Sequence, residues 1–152
     1  QIVISLLDKG EPVNTQDQEG NAPLHWAVRH HHPKIVKLLL NAKADVNAQN
    51  HIGDTPLHIA VRQGNAAIVL SLIEADANVI ASPGYTLLHI AAANGHLGIL
   101  KILINAGANI HAKDENGATP LNWALIKGYS CISNHLLHAM KNAIQPLTPV
   151  SI

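Results

Sequence analysis

Cysteine is almost missing from this chain, which has 152 residues and a single cysteine, Cys131. One thiol cannot form an internal disulfide, and sparse cysteine is typical of proteins in a reducing compartment. A signal peptide is missing too, because no basic segment leads into an apolar run and a small-residue cleavage site. These absences predict a cytoplasmic protein.

The sequence has neither an excess of one charge nor a long apolar run. Ten basic side chains balance ten acidic ones, whereas proteins that bind nucleic acid carry an excess of Lys and Arg for the phosphates. The longest apolar runs reach about six residues, and a helix that crosses a bilayer needs ~20. We therefore expect no nucleic-acid partner and no membrane insertion.

Aromatic residues make up only 3% of the sequence, and phenylalanine is absent, although 47% of the residues are hydrophobic. Small and aliphatic side chains suit closely stacked helix pairs better than bulky rings do. The composition therefore fits closely stacked helix pairs.

The motifs of several large enzyme classes are missing as well. The chain has no G-x-S-x-G, no P-loop, no G-x-G-x-x-G and no H-E-x-x-H. The pattern places Cys131 in a linker before an apolar helix, with no base near it in the chain. We expect no enzyme activity, no catalytic residue and no cofactor.

What the sequence does contain is one hexapeptide in four close copies, of which Thr-Pro-Leu-His-Ile-Ala is the clearest. The copies lie at residues 22–27, 55–60, 86–91 and 119–124. Their leucines recur at intervals of 33, 31 and 33 residues. A period near 33 with a T-P-L-H-x-A core is typical of ankyrin repeats. The chain resembles the ankyrin-repeat family over roughly nine tenths of its length.

The resemblance implies an all-α fold, an ankyrin-repeat solenoid of stacked helix-turn-helix units with short β-hairpin fingers. The repeat domain is expected at 1–143, with a partial repeat at 1–10 and full repeats at about 11–43, 44–76, 77–107 and 108–143. Residues 144–152 are expected to form a linker or tail, in which Pro146 and Pro149 make a minimal P-x-x-P pattern. The partial first repeat suggests a piece of a longer protein.

Eleven histidines raise the question of a metal site. In the family, the histidine of T-P-L-H links neighbouring repeats through hydrogen bonds. That role accounts for His25, His58 and His89. The run His30–His32 falls at the end of a first helix, where adjacent side chains diverge by about 100° instead of converging on zinc. His135 and His138 are spaced i, i+3 with no carboxylate nearby to complete a metal site, so we expect no metal site.

Four further residues allow two interpretations each. Trp26 and Trp123 stand where two other repeats have isoleucine, which favours packing between repeats over an exposed binding role. Asn14 and Asn47 match a family asparagine that tightens the finger and that, in some members, a 2-oxoglutarate-dependent enzyme hydroxylates. Each has the leucine eight residues earlier that such hydroxylation favours, and both roles stay open.

The leading functional expectation is a protein–protein interaction module. In the family, finger tips and first-helix surfaces form a concave groove for a protein partner. Carried over position by position, the groove comprises Gln18, Glu19, Asn21, Arg29, His30, His51, Ile52, Asp54, Arg62, Gln63, Tyr85, Ala93, Asn94, Lys113, Glu115, Asn116, Ala118, Ile126 and Lys127. The alternative is a structural spacer or autoinhibitory arm for a catalytic domain outside this chain, and the sequence does not separate the two.

The groove is expected to change from basic to apolar, because Arg29 and Arg62 are matched in later repeats by Ala93 and Ile126. We therefore expect a monomeric chain and a partner with an acidic segment beside an apolar one. The family implies a larger signalling protein, or a bacterial effector that acts in the host cytosol.

The third finger is two residues shorter than the second. A shorter finger predicts a notch beside Tyr85, between His51 and Ile52 on one side and Glu115 and Asn116 on the other. Loop tips tolerate deletions without consequence, so Tyr85 is either an uncovered anchor for a partner or a bystander.

Overall fold

The computed structural model of the protein describes residues 9–10, 12–80 and 84–144. These ranges contain eight helices and no strand. The helices are α1 (Pro23–Arg29), α2 (Pro33–Asn41), α3 (Pro56–Gln63), α4 (Ala66–Glu74), α5 (Leu87–Asn94), α6 (Leu97–Asn105), α7 (Pro120–Lys127) and α8 (Ser130–Ile144). The chain divides into two compact units, Gln1–Ala81 with α1 to α4 and Ser82–Ile152 with α5 to α8.

Each unit consists of two helix-turn-helix pairs whose apolar faces meet. In unit 1, α1 packs on α2, α3 packs on α4, and α1 also packs along α3. Leu24 and Val28 of α1 are fully buried, as their shared helical face predicts. In unit 2, α5 packs on α6, α7 packs on α8, and α5 packs along α7, with Leu88 and Leu100 buried. Burial of each such side chain contributes about 1.5–3 kcal/mol relative to exposure.

The T-P-L-H pattern starts the first helix of a repeat by capping it. In α3, the Thr55 hydroxyl accepts a hydrogen bond from the His58 N–H (3.4 Å), and Nδ1 of His58 accepts one from the Thr55 N–H (3.3 Å). Histidine thus takes the place of the Glu or Gln of a capping box. Pro56 follows at the first helical position, where a missing N–H costs nothing. In α7, Oδ1 of Asn122 accepts the Thr119 N–H (2.8 Å) in the same way.

The other ring nitrogen of this histidine reaches the next repeat. Nδ1 of His25 accepts a hydrogen bond from the Ala22 N–H (3.0 Å), so Nε2 carries the proton and donates to the Asp54 carbonyl (3.0 Å). His89 donates to the Ala118 carbonyl in the same manner (2.9 Å). The predicted linking role is confirmed for His25 and His89.

The fingers differ from the predicted β-hairpins, because the described residues contain no strand. In the first finger, the Asp17 N–H donates a hydrogen bond across the turn to the Asn21 carbonyl (3.0 Å). In the second finger, the Asn50 N–H donates the equivalent bond to the Asp54 carbonyl (3.0 Å). Oδ1 of Asp17 accepts hydrogen bonds from the N–H groups of Glu19 and Asn21 (both 2.9 Å). In a longer hairpin, a second backbone hydrogen bond would take this place. The Asp17 side chain therefore closes the first finger as an Asx turn.

The turn between the two helices of a repeat requires a left-handed backbone. Gly64, Gly95 and Gly128 occupy this position with φ of 76°, 78° and 75°, whereas the first repeat has His31 with φ of 56°. A side chain is disfavoured here, because Cβ crowds the following carbonyl. Nδ1 of His31 lies 3.2 Å from Nδ2 of Asn65, a contact that glycine cannot make.

The last helix, α8, has 15 residues and starts at Ser130. Gly128 ends α7 in a left-handed turn, and the chain enters α8 directly at Ser130. Cys131 is therefore an exposed helical residue, and its predicted position in a linker is wrong.

Several sequence-based predictions concern residues 1–8, 81–83 and 145–152. Most of the partial first repeat, the central residues of the third finger on which the notch depends, and the P-x-x-P pattern lie outside the described residues. No helix in the described ranges combines the length and the apolar character needed to cross a membrane.

Candidate protein-binding surfaces

The two finger tips of unit 1 present side chains from fixed turns. Oδ1 of Asn50 accepts the N–H groups of Ile52 (3.2 Å) and Asp54 (2.9 Å), which sets the second tip. The His51 N–H donates to the Glu19 carbonyl (3.0 Å) and joins the two tips. Ile52 is 79% exposed. The predicted contact residues that are exposed on these tips are Gln18, Glu19, His51 and Ile52.

Asn21 and Asp54 are two predicted contact residues that the structure buries. Asn21 is 2% exposed, and its Oδ1 accepts a hydrogen bond from Nδ2 of Asn50 (3.1 Å). Asp54 is 8% exposed and forms a bidentate ion pair with Arg62 at 2.7 and 3.0 Å. Because both side chains hold fingers in place, we remove them from the candidate contact surface.

The two arginines predicted as contacts in unit 1 both have carboxylate partners. Arg62 is held by the ion pair described above, and Nη1 of Arg29 lies 3.9 Å from Oε2 of Glu19. The Arg29 guanidinium also lies over the Trp26 ring, 5.2 Å from its centroid. Nε2 of Gln63, another predicted contact, donates to the Arg29 carbonyl (2.8 Å). Both predicted arginines therefore have a carboxylate neighbour within unit 1.

Trp26 is a surface residue among the described residues, and because most of the repeat before it is not described, its predicted packing between repeats stays a prediction. Its side chain is 41% exposed, whereas its counterpart Ile59 is 5% exposed. The indole N–H donates to Oδ2 of Asp17 (2.7 Å), and the exposed His30 ring stacks on the indole at 5.4 Å with 5° between the planes. Asp17 is not among the contact residues predicted from the sequence. The signal that identifies the pair is the nine-residue spacing from Asp to Trp, which recurs in the last repeat.

Asp114 and Trp123 form the same pair in unit 2. The Trp123 indole donates to Oδ2 of Asp114 (2.9 Å), while Oδ1 accepts the N–H groups of Asn116 (3.0 Å) and Ala118 (2.9 Å). Trp123 is half-buried and meets the Tyr85 ring edge-to-face at 5.7 Å. Because this contact joins successive repeats, packing between repeats is confirmed for Trp123. Tyr85 remains 42% exposed.

Hydrogen bonding lowers the pKa of both aspartates. For Asp114, the bond from Trp123 is the largest cause, and backbone N–H groups add to it against an opposing desolvation. For Asp17, desolvation raises the pKa, but hydrogen bonds that include the one from Trp26 outweigh it and hold the pKa below its ordinary value. The ionised form of each carboxyl therefore holds the finger.

The remaining predicted contacts of unit 2 lie mostly on its surface. Asn94, Lys113, Glu115, Asn116, Ile126 and Lys127 are exposed, and Ala93 and Ala118 are half-buried. Ile126 is 71% exposed, and the neighbouring Leu125, which the sequence analysis missed, is 58% exposed. No sequence signal marked Leu125, because its counterparts Val61 and Ala92 are fully buried. Exposed apolar area on α7 is thus larger than predicted.

Burial lowers the pKa of both His25 and His58. For His25, the Asp54 carbonyl that accepts from Nε2 opposes this shift without reversing it. A neutral ring suits the capping role, because Nδ1 must keep a lone pair to accept the backbone N–H. Both histidines are therefore structural.

No group of three His, Cys, Asp or Glu side chains within the described ranges could hold a metal ion. His30, His31 and His32 are exposed at the α1–α2 corner, with His30 stacked on Trp26. Burial, together with the charges of Lys101 and His138, lowers the pKa of His135.

Asn14 and Asn47 join successive repeats of unit 1. Oδ1 of Asn14 accepts the Asp45 N–H, and Oδ1 of Asn47 accepts the Asn78 N–H, both at 2.7 Å. The resemblance implies that this asparagine tightens a finger through backbone hydrogen bonds, and here the bonded backbone lies one repeat further on. Both side chains are exposed, and their hydroxylation stays a prediction.

Comparison with known proteins gives a family match over nearly the whole chain. A family model described as ankyrin repeats (3 copies) matches residues 1–83 and again residues 57–145. One curated relative is the acyl-CoA-binding domain-containing protein 2 of Arabidopsis thaliana, which is 43% identical over 39 residues. That match spans 26% of this chain and 11% of the relative. Because the family match covers well over half of its length, the chain belongs to the ankyrin-repeat family, whose repeats are generally protein–protein interaction modules.

Proposed function

We propose that this chain binds a protein partner through finger tips and exposed first-helix residues of its repeats. The observation that carries the proposal is the exposure of Ile52 (79%) and Ile126 (71%), the highest among the large apolar side chains of the described residues. Isolated apolar residues on a surface are common. These two, however, lie at predicted contact positions on a fixed turn and on a helix, where little conformational entropy is lost on binding.

The two units offer different chemistry at equivalent positions. In unit 1, Asp54 and Arg62 neutralise each other. The matching positions of unit 2 are Ala118 and Ile126, which carry no charge. The expected acidic segment in the partner depends on Arg29 and Arg62, and the carboxylates beside both arginines weaken the support for it. We propose that apolar contacts at Ile52 and Ile126 supply most of the affinity.

Paired substitutions on the same unit test this proposal. The immobilised chain is exposed to a lysate, and retained proteins are compared between wild type, Ile52→Asp and Ile126→Asp. Leu70→Asp and Leu137→Asp are the matched controls, because these leucines are 44% and 43% exposed on the second helices α4 and α8. We expect a retained protein that is lost from at least one isoleucine variant and kept by both leucine variants.

Two results would contradict the proposal. If nothing specific is retained, the chain is a spacer or an autoinhibitory arm. If the leucine variants lose the partner and the isoleucine variants keep it, the second-helix surface is the binding surface instead.

We also infer that the chain acts in the cytoplasm as part of a larger protein. Support comes from the single cysteine and from a curated relative of which the match spans only 11%. Fractionation of cells with an antibody against this chain tests both points, because it reports the compartment and the length of the parent protein.

A further inference from the structure

An open groove lies between the second helices of unit 1, α2 and α4, and continues past the turn that follows each helix. Two adjoining hollows of about 260 and 370 Å³ form it, and both contact Leu40, Asn41 and Ala75. We call it the α2–α4 groove. All of its lining residues belong to the described part of the chain. The volumes are at the low end of the range for ligand sites, which suits a few side chains of a partner better than a large cofactor.

The two walls of the α2–α4 groove have opposite charges. Lys37 and Lys43 lie on the α2 side. Glu74 and Asp76 lie on the α4 side, and all four side chains are exposed. Asp45, the next charged residue after Lys43, does not line the groove, and its Oδ1 accepts a backbone N–H of the second finger (3.0 Å). The groove therefore presents two cations on one wall and two carboxylates on the other.

These four charges are free to pair with a partner. Among the residues that the structure describes, no ion pair includes any of the four side chains. Arg29 and Arg62, in contrast, already have carboxylate neighbours. A partner can therefore pair with the walls of the groove without breaking an existing ion pair. Complementary charges across an interface fix the register of the partner and exclude wrong partners.

The backbone at the end of the α2–α4 groove gives a second, independent observation. Lys43 and Asp76 occupy equivalent positions, 33 residues apart, with left-handed φ of 63° and 65°. The same position in two other repeats is Gly10 and Gly107, with φ of 73° and 93°. A Cβ disfavours this conformation, and strain of this kind often marks a functional site. The two strained residues are the ones that add the second cation and the second carboxylate to the walls.

We propose that the α2–α4 groove binds an extended segment of a partner protein in which acidic and basic side chains alternate. Successive side chains of an extended chain point to opposite sides. Acidic side chains at every second position face Lys37 and Lys43. The basic side chains between them face Glu74 and Asp76, and the half-buried Leu40 contacts their apolar stems.

This inference goes beyond the proposed function. The α2–α4 groove lies on second helices, whereas Ile52 lies on a finger and Ile126 on a first helix. The two proposals have in common only that the partner is a protein.

Two synthetic peptides of the same composition test the proposal. One repeats Glu-Lys three times, and the other has three Glu followed by three Lys. Blocked termini leave the order of the charges as the only difference between the peptides. Fluorescence anisotropy of the labelled peptides with the full chain measures binding at low ionic strength, where exposed charges are least screened. We expect the alternating peptide to bind about tenfold more tightly than the block peptide.

Reversing the charge of one wall tests the contact directly. Lys37→Glu combined with Lys43→Glu should weaken binding of the alternating peptide about tenfold. Lys113→Glu combined with Lys141→Glu is the matched control, because it changes the net charge equally at two exposed positions of unit 2. The control should bind as wild type does.

Reversing the second wall as well, with Glu74→Lys and Asp76→Lys, should restore binding. An extended segment that slips by one residue presents the opposite signs to both walls. Restoration therefore separates recognition of charge from loss of structure, because a variant that fails to fold is not rescued by further substitutions.

The remaining outcomes overturn the inference. Equal binding of the two peptides, or no binding of either, shows that the α2–α4 groove does not recognise alternating charge. Binding that survives the reversal of one wall has the same meaning, as does a full reversal that is folded by circular dichroism and still does not bind. Loss of binding in Ile52→Asp or Ile126→Asp places the peptide on the finger and first-helix surface, which overturns this inference and supports the proposed function.

Discussion

His31 holds a backbone conformation that suits glycine, and its side chain is exposed. A left-handed conformation costs a residue with a Cβ about 1–2 kcal/mol. We expect His31→Gly to raise the free energy of unfolding by about 1 kcal/mol, because the left-handed strain is removed. The loss of the contact with Asn65 makes this increase smaller. Urea denaturation measures the change. The reverse substitution, Gly64→His, serves as the control and should lower stability; if His31→Gly lowers stability instead, the Asn65 contact outweighs the strain.

The two Asp–Trp pairs serve as controls for each other in a test of how the indole N–H lowers the aspartate pKa. Trp26→Phe removes the indole N–H that Asp17 accepts, so the pKa of Asp17 should rise towards its ordinary value. The pKa of Asp114 should stay unchanged in this variant and should rise in Trp123→Phe. Carboxyl carbon chemical shifts, titrated by nuclear magnetic resonance, report both groups separately. An Asp17 pKa that does not respond to Trp26→Phe would show that backbone N–H groups alone hold it low.

The first finger lies closer to its neighbour at Gly20 than the second finger does at Gly53. A Cβ on Gly20, whose φ is 79°, would lie 2.6 Å from Cδ2 and 2.8 Å from the backbone N of His51. Gly53 in the second finger has a similar φ of 83° and no atom within 4 Å of the same position. Gly20→Ala should therefore destabilise the protein by about 1–3 kcal/mol more than Gly53→Ala. Thermal or urea unfolding of both variants measures the difference, and equal losses would mean that only the backbone conformation matters.

Among the helices and fingers, the sequence predicts the features that depend on a short stretch of adjacent residues. The T-P-L-H copies identify the first helices, the capping histidines and the repeat period, because a cap needs only four adjacent residues. The burial of Asn21 could not be predicted, since it depends on Asn50, 29 residues later. Asp54 and Trp26 instead pair with residues eight and nine positions away, and the nine-residue spacing from Asp17 to Trp26 recurs in the last repeat as a sequence signal.

For the molecule as a whole, the two histidines whose pKa is lowered by burial, His25 and His58, predict how stability depends on pH. Their pKa values are lower in the folded protein than in the unfolded chain, so the unfolded chain binds more protons as the pH falls. Stability should be fully present above the unfolded pKa, about 6.5, and be lost as the pH falls below it. The slope is at most about 1.4 kcal/mol per pH unit for each histidine.

Urea midpoints between pH 8 and pH 5 check this expectation. His58→Asn should flatten the pH dependence while keeping the cap, because Asn122 already caps α7 with its side-chain oxygen. His111→Asn, at an exposed position, is the control and should leave the slope unchanged. A wild-type midpoint that stays constant over this range would contradict the prediction.

The hydrogen bonds that reach forward by one repeat have a consequence for how the gene can change in length. His25 to Asp54 spans 29 residues, Asn14 to Asp45 spans 31, and Gln16 to Gln49 spans 33. If one whole period is deleted or duplicated, a different repeat becomes the neighbour. Each of these hydrogen-bonding groups then meets an equivalent partner in that repeat. Deleting a dozen residues from inside a repeat leaves several of these donors and acceptors without partners at once. Recombination in whole periods is therefore the change in length that this architecture tolerates, and a genetic screen for folded deletion variants should recover losses of 31 or 33 residues.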